Sequence, residues 1–302
     1  MGLLLAIVTA LFFPGIILRV KSRCSGRKGP GILQPWKNIA VLLRKGSVLS
    51  ITTSYLFSLA PAVYLATLLC AILLLPVPGM PSYLGFNLDF VMFAYLLALG
   101  KMFIILGALD TGSSFEGMGA NREALYSMLV EPAFFIIFGT LALLTGHTSM
   151  QTIFDSFQIG GHNDFIIAFI LVYLLIQIAM IENSRMPVDD PKTHLELTMN
   201  HEVMILDHSG FDLALIHIGT ALKFAMYGGL IANCLVPTDW NFPAQIGLFF
   251  LIQGIFAGLI GIMESFRARK KLAKNPQFIV TLSSIALLSF ILVLLMAYKM
   301  IS

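Results

Sequence analysis

Eight runs of about twenty apolar residues divide this chain, and nothing else in it limits the possible folds so tightly. They lie at about Gly2–Leu18, Leu56–Leu75, Leu88–Leu109, Leu125–Leu144, Phe165–Ile181, Leu213–Val236, Ala244–Met263 and Phe278–Met296. Backbone polar groups find no water inside a bilayer, so a spanning segment must satisfy them internally. A hydrocarbon core about 30 Å thick then takes roughly 20 residues of helix. Composition agrees: 58% of the 302 residues are hydrophobic and 12% charged, against roughly 45–50% and about 25% in soluble domains. No stretch is polar enough to cover a soluble domain. The expected fold is an all-α polytopic membrane protein of about eight transmembrane helices, one membrane domain over residues 1–302. The first run has no basic residue before it and no small-residue cleavage pattern after it, so it reads as a retained helix. Breakers separate the runs at Pro76-Val77-Pro78-Gly79, Gly160-Gly161, Pro187, and Pro237 to Pro243.

Loop charges set the orientation. The loop after the first run holds Arg19, Lys21, Arg23, Arg27, Lys28, Lys37, Arg44 and Lys45, and the loop after the seventh holds Arg267, Arg269, Lys270, Lys271 and Lys274. Arg122, Arg185 and Lys192 follow the third and fifth runs, while the loops after the second, fourth and sixth contain neither Lys nor Arg. Positive loops stay cytoplasmic, which puts both termini on the non-cytoplasmic side. A net charge of +3 says little beside this distribution, and no nucleic-acid partner is expected.

Two cytoplasmic loops are long enough for helices of their own. In Gln34–Ser47, Trp36, Ile39, Ala40 and Leu43 recur at helical spacing beside Lys37, Arg44 and Lys45, the pattern of an amphipathic helix in the membrane interface. In Lys192–Asp207, and just beyond it, His194, His201 and His208 recur every seven residues, with Glu196 and Glu202 among them. The zinc-protease spacing needs HExxH, whereas the chain reads His201-Glu202-Val203-Met204-Ile205. A polar, partner-facing or water-lining helix is expected there, and no metal. Cys24, Cys70 and Cys234 are isolated and form no CxxC pair, so neither an iron–sulfur nor a zinc site is read from them.

Ionisable side chains inside the runs carry the functional signal. Lys101 lies in the third run, roughly 10 Å from its cytoplasmic end at 1.5 Å per residue, within snorkelling reach. Lys223 lies near the middle of the sixth, where a lysine costs about 2.5–3.5 kcal/mol. Glu131 is about two turns into the fourth. Glu182, Glu264 and Asp110 close the cytoplasmic ends of the fifth, seventh and third runs, within reach of solvent. Charges in such places mark ion or substrate paths. Structural pairing, for example of Lys223 with Glu131, is the competing reading.

Three motifs carry a resemblance. Glu182-Asn183-Ser184-Arg185-Met186-Pro187-Val188-Asp189 resembles the E-x-x-R-x-P-x-D signature of the membrane-arm subunit 1, or H, of respiratory complex I and of its relatives in group 4 membrane-bound [NiFe] hydrogenases. Arg27-Lys28-Gly29-Pro30-Gly31 with Gln34-Pro35 resembles the family's R-x-G-P…Q-P loop. Arg122, nine residues before Glu131, matches its Arg-to-Glu spacing. Ala108-Leu109-Asp110-Thr111-Gly112-Ser113 and Gly119-Ala120-Asn121-Arg122-Glu123 look like the hydrogenase branch. Thr193-His194-Leu195-Glu196-Leu197-Thr198-Met199 and Asp207-His208-Ser209-Gly210 depart from the complex I pattern.

The resemblance implies a non-catalytic subunit of a prokaryotic cell membrane complex, binding no cofactor itself. Hydrophilic partners, hydrogenase-like large and small subunits with iron–sulfur subunits, would carry a nickel–iron site and the clusters. Antiporter-like membrane subunits would receive the coupling to H⁺ or Na⁺ movement. The expected ion pathway comprises Lys101, Asp110, Glu131, Glu182, Glu196, Glu202, Asp207, Lys223 and Glu264. The expected interface with the hydrophilic arm comprises Arg27, Gly29, Pro30, Arg122, Arg185, Pro187 and Asp189. One alternative is the quinone-chamber subunit of an NADH- or ferredoxin-dependent complex I. Another is a secondary transporter, although two related halves are not evident. A Mg²⁺-dependent transferase would want paired acidic loops, and Asp189-Asp190 has no counterpart.

Overall fold

The computed structural model describes residues 2–157, 162–189, 200–238, 240–267 and 270–298. The described residues form helices α1 (Gly2–Cys24), α2 (Gln34–Leu43), α3 (Tyr55–Leu74), α4 (Asp89–Asp110), α5 (Ser114–Thr145) and α6 (Met150–Ser156). There follow α7 (His162–Glu182), the single turn α8 (His201–Met204), α9 (Gly210–Leu235), α10 (Phe242–Phe266) and α11 (Asn275–Ala297). Eight of them, α1, α3, α4, α5, α7, α9, α10 and α11, are long and apolar enough to cross a bilayer. The chain is an all-α, multi-pass membrane protein.

The spans fall where the apolar runs lie, with one extension. Helix α5 begins at Ser114, well before the run at Leu125, and so carries Glu116 and Glu123 on its first turns. Both face inward and are buried. Helix α2 forms within the first basic loop with Pro35 in its first turn, a position where the missing N–H is no loss. Its Ile39 turns in, while Val41, Leu43, Lys37, Arg44 and Lys45 stay exposed. In the second long loop only α8 is helical among the described residues. His194, Glu196 and Asp190, together with Gly160 and Gly161, lie outside the described residues.

Helix α9 is the pillar of the bundle. It packs against α1, α2, α3, α7 and α10, and 78% of its apolar window is buried. Small residues permit this closeness: a side chain at Gly219 would run into the Tyr64 ring, and one at Gly228 into the Gln253 amide. Helices α3 with α4, α5 with α11, and α1 with α10 pair around it. Among the described residues, the buried charges Lys101, Glu116, Glu123, Lys223 and Glu264 and the largely buried Glu182 lie toward the end where the basic loops emerge, with half-buried Glu131 deeper along α5. Asp89 sits at the other end, accepting from Met150 N at 2.6 Å and Ser149 Oγ at 3.1 Å.

Candidate functional site

Helices α4, α5, α7 and α9 each turn one charged side chain toward a common line. Lys101 Nζ of α4 stands 2.8 Å from Glu123 Oε1 of α5 and 3.3 Å from Glu182 Oε2 of α7. Lys223 Nζ of α9 lies 2.7 Å from the same Glu182 oxygen and also donates to the Glu182 carbonyl at 2.9 Å. The result is a row of alternating sign, Glu123–Lys101–Glu182–Lys223, with side-chain exposures of 2%, 9%, 12% and 2%. Two carboxylates and two ammonium groups balance, which is what burial of charge requires.

The loop after α7 closes the row. The chain turns sharply at Ser184, whose left-handed backbone (φ 49°) lets Ser184 Oγ reach both Glu123 carboxylate oxygens at 3.3 Å. Ser184 and Asn183 line a cavity of about 20 Å³ with Tyr64, Lys101, Glu123 and His201, room for about one water. Beyond Lys101 and Glu182 a second cavity of about 50 Å³ runs between α4, α5 and α7 to Ser127 and Glu131. Glu131 is half-buried and has no basic group within 4 Å among the described residues. It lies about 12 Å further along α5 than Glu123, at 1.5 Å per residue.

Several expectations are revised here. Lys223 pairs with Glu182, not Glu131. Lys101 does not snorkel: it is held between two carboxylates on neighbouring helices. Glu182 and Glu264 are not solvated helix ends. Glu264 is buried and receives Lys21 at 3.4 Å and Arg185 at 3.1 Å. Arg185 therefore points into the bundle, stacking over the Phe224 ring at 5.1 Å, instead of offering its donors outward. Pro187 is buried and its carbonyl accepts from Lys270 N, and buried Asp189 accepts from Asn200 N at 3.2 Å and His201 N at 3.1 Å. The signature loop thus braces the chain's own fold at these positions.

The remaining expected residues are more peripheral. Asp110 accepts from Ser54 N at 2.7 Å and Ser54 Oγ at 2.8 Å, securing the start of α3. Asp207 is exposed, and its backbone N–H donates to Glu116 at 3.0 Å. Glu202 is half-buried on α8. Arg27 and Pro30 are exposed, Gly29 lies close to Ser22, and Arg122 donates to Met118 Sδ at 3.2 Å. Glu196 is outside the described residues.

Sequence reasoning missed Glu123, because it placed the helix start after that residue. It also missed His201 and His208 as interior groups. His208 stacks face to face on Phe57, ring centroids 3.9 Å apart, and burial pushes its pKa down to about 4. Burial also lowers that of His201 to about 4, against the pull of Glu123. Both imidazoles are neutral at pH 7. A signal did exist for His208 in its recurrence with His201, but not for its partner ring.

A larger apolar cleft of about 520 Å³ opens between α1, α2 and α9. Its inner end reaches Arg185, His217 and Thr220, and Thr220 also lines the small cavity on the charge row.

Comparison with known proteins agrees with this architecture. The family described as NADH dehydrogenase matches residues 1–297. Hydrogenase-4 component C of Escherichia coli (strain K12) is 29% identical over 266 residues, 88% of this chain and 82% of that protein. Formate hydrogenlyase subunit 4 of the same organism is 27% identical over 297 residues, 95% of each chain. Among solved structures, a chain of the membrane-bound sulfane sulfur reductase, an archaeal respiratory membrane complex, superposes with a TM-score of 0.82 at 18% identity, covering 96% of both chains.

Proposed function

We infer, from the premise that this chain belongs to the NADH dehydrogenase family, that it is the membrane-anchoring, ion-coupling subunit of a hydrogenase-type redox complex. Its two relatives above are named as components of hydrogenase-4 and of formate hydrogenlyase, which favours the hydrogenase branch. On this reading the hydrophilic partners hold the nickel–iron site and iron–sulfur clusters, and antiporter-like subunits adjoin it in the membrane. The basic loops face the cytoplasm and both termini the opposite side.

The observation that carries the reading is the buried row Glu123–Lys101–Glu182–Lys223 with its cavity leading on to Glu131. A charge-balanced row in low dielectric is poised for proton exchange. Moving one member leaves its neighbour uncompensated, and a buried carboxylate without its cation takes up a proton. The Ser184 hydroxyl on Glu123 and the His201 ring beside it belong to loops on the basic end. A shift of those loops under a docked redox partner changes what Glu123 faces. Lys101 then turns toward Glu182, and the change passes along the row to the cavity at Glu131. Of the residues expected to contact the hydrophilic arm, Arg27 and Pro30 are exposed for that role.

The test uses sealed vesicles holding the intact complex. Glu182→Gln with Lys223→Met removes one carboxylate and one cation together, keeping the row neutral. Electron transfer to an artificial acceptor is expected to persist while ion uptake per electron falls to background. Wild-type uptake in this variant would remove the row from coupling.

A further inference from the structure

One face of α1 changes character within three turns. Pro14 and Leu18 wall the apolar cleft, with Ile39 and Leu42 of α2 and Phe224 of α9 opposite. Leu18 also walls a second groove of about 440 Å³, whose other sides are Lys21, Ser22, Ser25, Arg27 and Pro30. Positions 14, 18, 21, 22 and 25 recur at helical spacing and share that face, so the two volumes meet at Leu18. The groove presents the Lys21 and Arg27 cations, and the N–H groups of Ser25, Gly26 and Arg27 close the end of α1 onto the carbonyls of Lys21, Arg23 and Ser22. Helix α2 beside it exposes Val41 and Leu43 together with Lys37, Arg44 and Lys45, the mixed apolar and basic surface of a helix that lies in the membrane interface.

An apolar slot joined end to end with a cationic, hydroxyl-lined groove at the membrane interface suits an amphiphile with an anionic head. We propose that the pair holds one anionic glycerophospholipid, its phosphate against the Arg27 guanidinium, since the Ser22 and Ser25 hydroxyls already donate to the Arg19 and Lys21 carbonyls, and an acyl chain under α2. Lys21 already serves Glu264 and adds field more than a contact. The chain would fill the cleft up to Arg185, His217 and Thr220. Thr220 also lines the cavity on the charge row, so the end of the acyl chain would lie one side chain away from that row.

The test places the intact complex in vesicles doped with a phosphatidylglycerol that carries a photoreactive group in its acyl chain. Cross-linked peptides are then mapped by mass spectrometry. Adducts are expected on the peptides holding Pro14–Leu18 and Ile39–Leu42, about fivefold more than with phosphatidylcholine of the same chains. Fivefold is the effect of about one cation near an anionic headgroup. Arg27→Gln should lower the phosphatidylglycerol yield to the phosphatidylcholine level and leave the latter unchanged. Equal yields from the two lipids, or full displacement by a quinone that carries no charge, would overturn the proposal. Arg27 is also one of the exposed residues expected at the hydrophilic arm, so the yields are compared on preparations that keep the hydrophilic subunits. A Leu18→Trp variant, which blocks the junction, should abolish the adducts with both lipids; persistence at the same peptides would also contradict it.

Discussion

Each residue of the charge row matters through its neighbours. Lys101 is shared by Glu123 and Glu182, so Lys101→Met leaves a buried carboxylate uncompensated, a change of roughly 3–5 kcal/mol for a broken buried pair. Thermal denaturation of the purified complex should register that loss, and Lys101→Met with Glu123→Gln should recover most of it. A single variant as stable as wild type would mean that the pair is not dry. His208 offers a pH-dependent check outside the spans. Burial against Phe57 lowers its folded pKa to about 4, below the unfolded value near 6.5. The unfolded loop therefore binds the extra proton between those values. The stabilising contribution is complete above pH 6.5 and falls by about 1.4 kcal/mol for each pH unit down to about 4. Amide exchange of residues 203–208, corrected for intrinsic rates, should accelerate over that window, and His208→Phe should flatten the profile. No acceleration in the wild type would place His208 in water.

At the scale of elements, the loop after α8 is pinned by close backbone approach. Gly210 has φ 52°, and a side chain there would press on the Gly46 carbonyl. Gly210→Ala should therefore cost about 1–3 kcal/mol in complex stability, whereas Gly254→Ala, which faces open space, should change it by less than about 0.5 kcal/mol. Similar melting curves for the two would remove the packing argument. The eight apolar spans and the short helix α2 were legible in the sequence because hydropathy and helical period are local properties. The partners of Lys101 and Lys223 were not, since nothing in the spacing of one helix says which helix lies beside it. Glu123 escaped notice because α5 continues past its apolar run into polar sequence, held there by packing against α8. The resemblance places Arg185 at the interface with the hydrophilic arm, and it is Glu264, distant in sequence, that draws its guanidinium inward.

Across the whole molecule, the buried charges other than Asp89 lie toward the basic-loop end among the described residues, so orientation and coupling are linked questions. In a cysteine-free background, Ser82→Cys and Thr238→Cys should react with an impermeant maleimide in intact cells, and Ser25→Cys only after permeabilisation. The reverse pattern would invert the topology and put the charge row at the outer face. The most direct test of the coupling account is ion uptake per electron in sealed vesicles bearing Glu131→Gln. This residue makes no ion pair within 4 Å among the described residues, so its amide keeps size and hydrogen bonding and leaves no cation stranded. Assembly and electron transfer to an artificial acceptor should match wild type, and uptake per electron should fall to background. A fully assembled Glu131→Gln complex that pumps at the wild-type ratio would contradict a relay that runs from the buried row through Glu131.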